Sequence, residues 1–329
     1  MSHSIRSAVR IFERSALGLL VALVLVGCGG GGSGTNAAPS TPTNTPTNAS
    51  TNTPTTPSST NNVDDDPALL PYVCTSNLAT TPGKLKLLPV GTTGKAQIRG
   101  YAESVPPSYA SSSKWPCIIN LHGDGEFGDG SSEAVLKTFT YSCLPGMISQ
   151  DNWDSQHRFV VLSPQFTSYG DRTAANVNTF IQYAKANYKI DVKRIYLTGV
   201  SGGGVALGNY LTTYSGGEAA AAIPVSCYVP PIGSAAKWKS VPVWLLCGSA
   251  DTTVGPANVL KVYTTLMAAV PPPTVTPRIT LYTGVGHDGN SANKSYAPAS
   301  MDNTFETTYG GVDLVPYSNI YDWMLQYHR

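Results

Sequence analysis

Residues 194–203 read Arg-Ile-Tyr-Leu-Thr-Gly-Val-Ser-Gly-Gly, an apolar run that leads directly into a serine framed by glycines. The run 194–198 predicts a buried strand, and Gly199 and Gly203 stand two positions before and two after Ser201. A serine held at a sharp turn between a strand and a helix needs small neighbours there, because larger side chains would collide. The stretch therefore predicts Ser201 as a nucleophile. A tight turn without chemistry is the alternative, since glycines are common in this chain.

The segments around this serine alternate between apolar runs and helical patterns. The helical segments space their apolar residues for one buried face, whereas the apolar runs are short and continuous. Continuous apolar strands separated by helices predict an α/β fold with a mostly parallel central sheet and helices on both faces. The predicted strands are 114–121, 158–163, 194–198, 219–227, 241–247 and 278–282, and the predicted helices are 173–188, 205–214 and 258–268.

Three further polar segments follow predicted strands directly. They are the glycine-rich loop 122–130, then Asp251 beyond the strand ending at 247, then His287 beyond the strand ending at 282. Chemistry in parallel sheets gathers at the carboxyl ends of the strands. The chain order Ser201, Asp251, His287 is the order found in α/β-hydrolases. We therefore predict a catalytic triad of these residues, although Asp251 alone would also suit an Asx turn.

Around these residues the chain resembles α/β-hydrolases of the carboxylesterase type, related to bacterial predicted-peptidase, feruloyl-esterase-like and polyhydroxybutyrate-depolymerase-like proteins. The similar stretches cover most of residues 115–329. The chain departs from the pattern at Gly202, where a bulkier residue is frequent after the nucleophile, and in an insertion at about 290–316. Both departures bear on the predicted substrate pocket. The similar stretches are 119–123, 125–126, 191–203, 241–254, 286–287 and 321–325.

This reading implies a mechanism for ester hydrolysis. Ser201 attacks the ester carbonyl, His287 takes the serine proton, and Asp251 fixes the imidazole tautomer. The backbone amides of Gly202 and Asp124 are the predicted oxyanion hole. Two alternatives remain open at this point. The first is a serine peptidase with the same triad, and the second is a surface binding protein on a hydrolase fold without catalysis.

The amino-terminal residues predict export. Residues 1–27 combine Arg6, Arg10 and Arg14 with an apolar run too short to span a membrane, as in a signal peptide. The run ends Leu-Val-Gly-Cys at 25–28, which is similar to the lipobox of bacterial lipoproteins and predicts lipidation of Cys28. We therefore expect an exported lipoprotein, anchored in the outer membrane or at the cell surface.

Composition divides the rest of the chain. Residues 28–66 are rich in Gly, Ser, Thr, Asn and Pro and predict a flexible tether, leaving 67–329 as one catalytic domain. A net charge of +1 with 12% charged residues argues against a nucleic-acid interface, since no basic cluster is present to neutralise phosphates. Export on a tether suits a polymeric ester substrate, such as an acylated polysaccharide or a polyester.

No cysteine or histidine spacing typical of a metal site occurs, so we expect neither a metal nor a cofactor. The acidic residues of loop 122–130 leave a calcium turn as a weaker alternative. Beyond Cys28 the chain has five cysteines, an odd number, which predicts at least one free thiol. Cys74, Cys143 and Cys227 are better placed for disulfides than Cys117 and Cys247, which lie in predicted strands.

Overall fold

The structure is a computed structural model that describes residues 83–89, 91, 99–112, 114–137, 143–227, 232–287, 290–298 and 304–329. The predicted signal peptide, the tether and Cys28 lie outside the described residues, as does Cys74. In the described part of the chain, no helix is long and apolar enough to cross a membrane. The boundaries at residues 27–28 and 66–67, which separate the predicted signal peptide, tether and catalytic domain, also lie outside the described residues and remain predictions.

An eight-stranded sheet forms the centre of the domain. Its spatial order is β1-β2-β4-β3-β5-β6-β7-β8. Strand β2 runs antiparallel to both β1 and β4, and the six strands from β3 to β8 all run parallel to one another. Parallel neighbours bring the carboxyl ends of β3, β5, β7 and β8 to one edge. The strands are β1 Lys86–Leu88, β2 Tyr101–Ser104, β3 Trp115–Leu121, β4 Val160–Pro164, β5 Ile190–Val200, β6 Ala221–Val225, β7 Trp244–Gly248 and β8 Arg278–Tyr282.

Helices cover both faces of this sheet. One core contains residues of α3, α4 and α5, and the other contains residues of α2, α6 and α7. Because side chains alternate between the two faces of a sheet, successive residues of a strand pack into different cores. In β5, Leu197 packs into the first core and Tyr196 into the second. The helices are α1 Glu133–Leu136, α2 Cys143–Ser149, α3 Ala174–Asn187, α4 Gly202–Tyr214, α5 Pro256–Met267, α6 Asn290–Tyr296 and α7 Ile320–Met324.

This arrangement confirms the predicted α/β-hydrolase fold, with a mostly parallel sheet between two layers of helices. The six predicted strands and three predicted helices all form, with end positions that differ by a few residues. Strands β1 and β2 were missed because three or four residues are too short for a periodic pattern. Helix α4 begins at Gly202, three residues before the predicted start at 205. Its first three residues are glycines, and their low helix propensity hid this start in the sequence.

The insertion at 290–316 builds structure at the edge of the sheet. After α6, the chain runs antiparallel beside β8, with Phe305 bridging Tyr282. The Glu306 N–H donates to Leu281 O and the Val315 N–H donates to Ile279 O. A small hairpin of β9 Thr308–Tyr309 and β10 Val312–Asp313 lies between these two contacts. The described residues from 304 to 315 therefore lie along the outer edge of β8, and β9 and β10 form a separate two-stranded sheet.

The cysteines within the described residues are core residues. Cys117, Cys143, Cys227 and Cys247 are all buried and form no disulfide with one another. The expectation that Cys143 and Cys227 are placed for a bridge is therefore wrong for that pair. The Cys143 thiol instead donates to Glu126 Oε2 at 3.6 Å. Burial raises the pKa of the Cys227 thiol, which keeps it protonated and unreactive.

Candidate active site

Ser201 lies on a strained turn between β5 and α4. Its backbone has φ +53° and ψ −121°, which is unfavourable for a residue with a side chain. The Ser201 N–H donates to Val225 O at 2.9 Å, which holds the turn against the end of β6. A Cβ at residue 199 would lie 2.6 Å from the carbonyl carbon of Gly203. One at residue 203 would overlap the carbonyl oxygen of Leu121, so both framing glycines are required by close backbone approach.

The structure brings the three predicted triad side chains together. Ser201 Oγ lies 2.9 Å from His287 Nε2, and His287 Nδ1 lies 2.8 Å from Asp251 Oδ2. The three residues come from different segments, since Ser201 follows β5, Asp251 follows β7 and His287 follows β8. The parallel sheet therefore assembles the group at the carboxyl ends of its strands.

Asp251 is fixed by two backbone amides. Its side chain is fully buried, and Oδ1 accepts hydrogen bonds from the N–H groups of Thr253 at 3.0 Å and Val254 at 2.9 Å. Burial alone would raise the pKa of this carboxyl, but the hydrogen bonds from His287 and Val254 outweigh burial and lower it. An ionised Asp251 accepts the His287 Nδ1 proton, so His287 Nε2 is free to accept the Ser201 hydroxyl proton.

His122 holds the loop that follows β3. Its Nε2 accepts a hydrogen bond from the Phe166 N–H at 2.9 Å. Because a backbone N–H can only donate, the imidazole proton is on Nδ1. Nδ1 donates this proton to Gly123 O at 2.7 Å. Burial lowers the pKa of His122 to about 4, so the ring is neutral at pH 7. Glu126 Oε2 accepts from the Gly123 N–H at 2.8 Å and secures the same loop. We therefore assign both side chains a structural role.

The two predicted oxyanion donors are free amides. Neither the Asp124 N–H nor the Gly202 N–H donates a hydrogen bond to any residue in the described part of the chain. Gly202 is the first residue of α4, a helix of 13 residues whose N-terminus carries a partial positive charge. Gly203 packs against the carbonyl oxygens of Leu121 and His122, which brings α4 against the end of β3.

Sequence reasoning missed Arg172, which lies against Gly202. Its side chain is 3% exposed and stacks over Phe127 at 4.7 Å and over Tyr169 at 4.5 Å. Arg172 Nη2 pairs with Asp124 Oδ1 at 2.5 Å, and the Tyr169 hydroxyl donates to Asp124 Oδ2. The only signal in the sequence was Gly202, because a Cβ at this position would overlap both Arg172 Nη1 and Asp124 Oδ1.

Metal ligands do not cluster within the described residues. No group of three or more His, Cys, Asp or Glu side chains there is placed to hold a metal ion. The site itself presents a serine hydroxyl, an imidazole and a carboxylate in hydrogen-bonded series.

Comparison with known proteins finds similarity among solved structures. No protein-family model matches the chain, and no curated protein matches it. Among solved structures, the chain is similar to one described as "Crystal Structure of a Thermostable Esterase", with 21% sequence identity and a TM-score of 0.48. The alignment covers 70% of this chain and 59% of the other, so this chain spans less than two thirds of that protein's length.

Proposed function

We propose that this protein is a serine carboxylesterase. The observation that carries the proposal is the continuous hydrogen-bonded series from Ser201 Oγ through His287 to the buried Asp251 carboxylate. Strain at Ser201 supports a catalytic role, because an unfavourable backbone persists only where the surrounding structure holds it.

The mechanism follows from the positions of these atoms. Ser201 Oγ forms a bond to the ester carbonyl carbon while its proton moves to His287 Nε2, and the carbonyl electron pair moves onto oxygen. The free amides of Gly202 and Asp124 stabilise that oxyanion. His287 then gives its proton to the leaving alcohol, which leaves an acyl-serine. Water, activated by His287, hydrolyses this intermediate and restores Ser201.

The test compares the wild type with Ser201→Ala, using full-length protein purified in mild detergent. We expect the wild type to hydrolyse p-nitrophenyl acetate and butyrate and to react covalently with a fluorophosphonate probe. Ser201→Ala should do neither. Wild-type activity retained in Ser201→Ala would contradict the assignment of the nucleophile. Faster cleavage of peptide anilides than of esters would favour a serine peptidase instead.

The substrate and location are proposed from the sequence. A signal peptide at 1–27, a lipidated Cys28 and a tether to residue 66 would hold the catalytic domain outside the cell. This placement suits a polymeric ester, so acetyl-xylan, feruloylated polysaccharide and polyester are the substrates to screen. Cys28→Ser should abolish incorporation of labelled palmitate and release active enzyme from membranes. Unchanged labelling in this variant would refute the anchor.

A further inference from the structure

The guanidinium of Arg172 has hydrogen-bond donors that the described residues leave unused. Its side chain is 97% buried, yet Nε and Nη1 have no hydrogen-bond partner in this part of the chain. A buried N–H without an acceptor is costly, and one on a charged group is more costly still. A buried donor of this kind calls for an explanation, and a reacting group that supplies the acceptor is one.

The position of Nη1 identifies that acceptor. A Cβ at residue 202 would overlap Arg172 Nη1, so this nitrogen lies directly beside the residue whose free amide is the proposed oxyanion donor. The same place is the N-terminus of the 13-residue helix α4, where peptide dipoles favour negative charge. The guanidinium, the Gly202 amide and the helix end therefore favour negative charge beside Gly202, where Asp124 Oδ1 lies against the same Cβ position.

Arg172 is also held rigidly there. Phe127 and Tyr169 each contact the guanidinium through their rings, and the Asp124 carboxylate pairs with Nη2 at 2.5 Å. Nη1 and Asp124 Oδ1 both lie against Gly202, and neither has a hydrogen-bond partner within the described residues. A donor fixed before the reaction needs no reorganisation when charge develops, which is the condition for strong electrostatic stabilisation of a transition state.

We propose that Arg172 Nη1 is a third donor of the oxyanion hole, beside the amides of Gly202 and Asp124. This inference depends on the proposed esterase function. Arg172 donates a hydrogen bond and transfers no proton; the serine proton still goes to His287. Because the carbonyl oxygen is neutral in the substrate and negative in the tetrahedral intermediate, a charged donor binds the intermediate more strongly. Arg172 therefore acts mainly on kcat.

The experiment measures kcat and KM of the full-length enzyme with p-nitrophenyl butyrate, and Ki for a trifluoromethyl ketone that forms a tetrahedral adduct with the serine. For Arg172→Met we expect kcat to fall about 100- to 1,000-fold. KM should change by less than about threefold, and Ki should weaken in parallel with kcat/KM. The matched control is Arg278→Met, which removes another stacked arginine, over Trp244 at 3.9 Å, at the opposite end of a strand from the triad. The control should keep wild-type kcat.

A second variant separates direct donation from positioning of the loop. Asp124→Asn weakens the ion pair but keeps the guanidinium and the backbone amide, so it should lose far less kcat than Arg172→Met. Equal losses in the two variants would mean that Arg172 acts only through Asp124 and would overturn the proposal. If Arg172→Met does not fold, Arg172→Lys keeps the charge beside Asp124 but shortens the donor, and should lose at least tenfold in kcat.

Two outcomes distinguish this proposal from the proposed function. A wild type that hydrolyses esters through Ser201, together with Arg172 variants of unchanged kcat, refutes the third donor alone. A wild type that neither turns over esters nor reacts with the ketone and the fluorophosphonate refutes both. Loss confined to esters with an anionic acyl group would show that Arg172 binds a substrate carboxylate, which would also overturn its role at the oxyanion.

Discussion

Replacing Asp251 by Asn should abolish catalysis without unfolding the protein. Asp251 Oδ1 accepts two backbone N–H groups, from Thr253 and Val254, while Oδ2 faces His287 Nδ1. The Asn oxygen must take the Oδ1 place, because a carboxamide nitrogen cannot accept those two bonds. Its NH2 group then donates to His287 Nδ1. The imidazole proton is forced onto Nε2, which can no longer accept the proton of Ser201.

The expected loss follows from this reversed tautomer. Disruption of the imidazole tautomer in a serine triad lowers kcat about 10⁴-fold, equivalent to about 5.4 kcal/mol of transition-state stabilisation. Stability should be nearly unchanged, since both backbone amides keep an acceptor. Asp251→Ala, in contrast, leaves the buried amide of Val254 without an acceptor, at about 1–3 kcal/mol. For a domain of this size Tm falls about 2–4 °C for each kcal/mol.

The assay is kcat with p-nitrophenyl butyrate beside thermal unfolding followed by circular dichroism. Asp313→Asn, an exposed aspartate in β10, is the matched control and should match the wild type in both measurements. A loss of less than tenfold in Asp251→Asn would refute the tautomer argument. Equal Tm values for Asp251→Asn and Asp251→Ala would refute the assignment of Oδ1 to the two amides.

Two further predictions concern packing and pH. In Gly203→Ala the new Cβ would overlap the backbone oxygens of Leu121 and His122, so α4 or the end of β3 must shift. We expect a loss of about 1–3 kcal/mol in unfolding free energy and roughly 100-fold in kcat/KM; Gly233→Ala, with open space around its Cβ, should lose neither when both are measured by urea unfolding and ester hydrolysis. Burial raises the pKa of Glu103, so its proton is bound more tightly in the folded state, and the associated stability is present at low pH and lost as pH rises through the folded pKa. Glu103→Gln should therefore gain stability over the wild type at pH 8 but not at pH 4 in urea unfolding, and an equal difference at both pH values would contradict this.

The sequence allowed prediction of those features that depend on local pattern. Ser201, Asp251 and His287 each follow an apolar strand by one to five residues. Because the carboxyl ends of parallel strands meet at one edge of a sheet, the sequence alone predicts that these residues lie together. Arg172 could not be found in this way. It follows a short 3-10 turn, 29 residues before Ser201 in the chain, and its importance arises only from tertiary contacts with Phe127 and Asp124. No periodicity or motif records such contacts.

The absence of a side chain at residue 202 makes room for the guanidinium of Arg172. A side chain at residue 202 and the guanidinium of Arg172 require the same space, because a Cβ there would overlap Nη1. A chain with a bulky residue after the nucleophile therefore cannot hold an arginine in this position. Glycine at residue 202 leaves space for the guanidinium of Arg172, which comes from the loop before α3. The carboxylate of Asp124 neutralises its charge, with Oδ1 2.5 Å from Arg172 Nη2. Glycine at residue 202, where similar sequences frequently carry a bulkier residue, is thus accounted for by the guanidinium that lies against it, and that guanidinium comes from a residue distant in sequence.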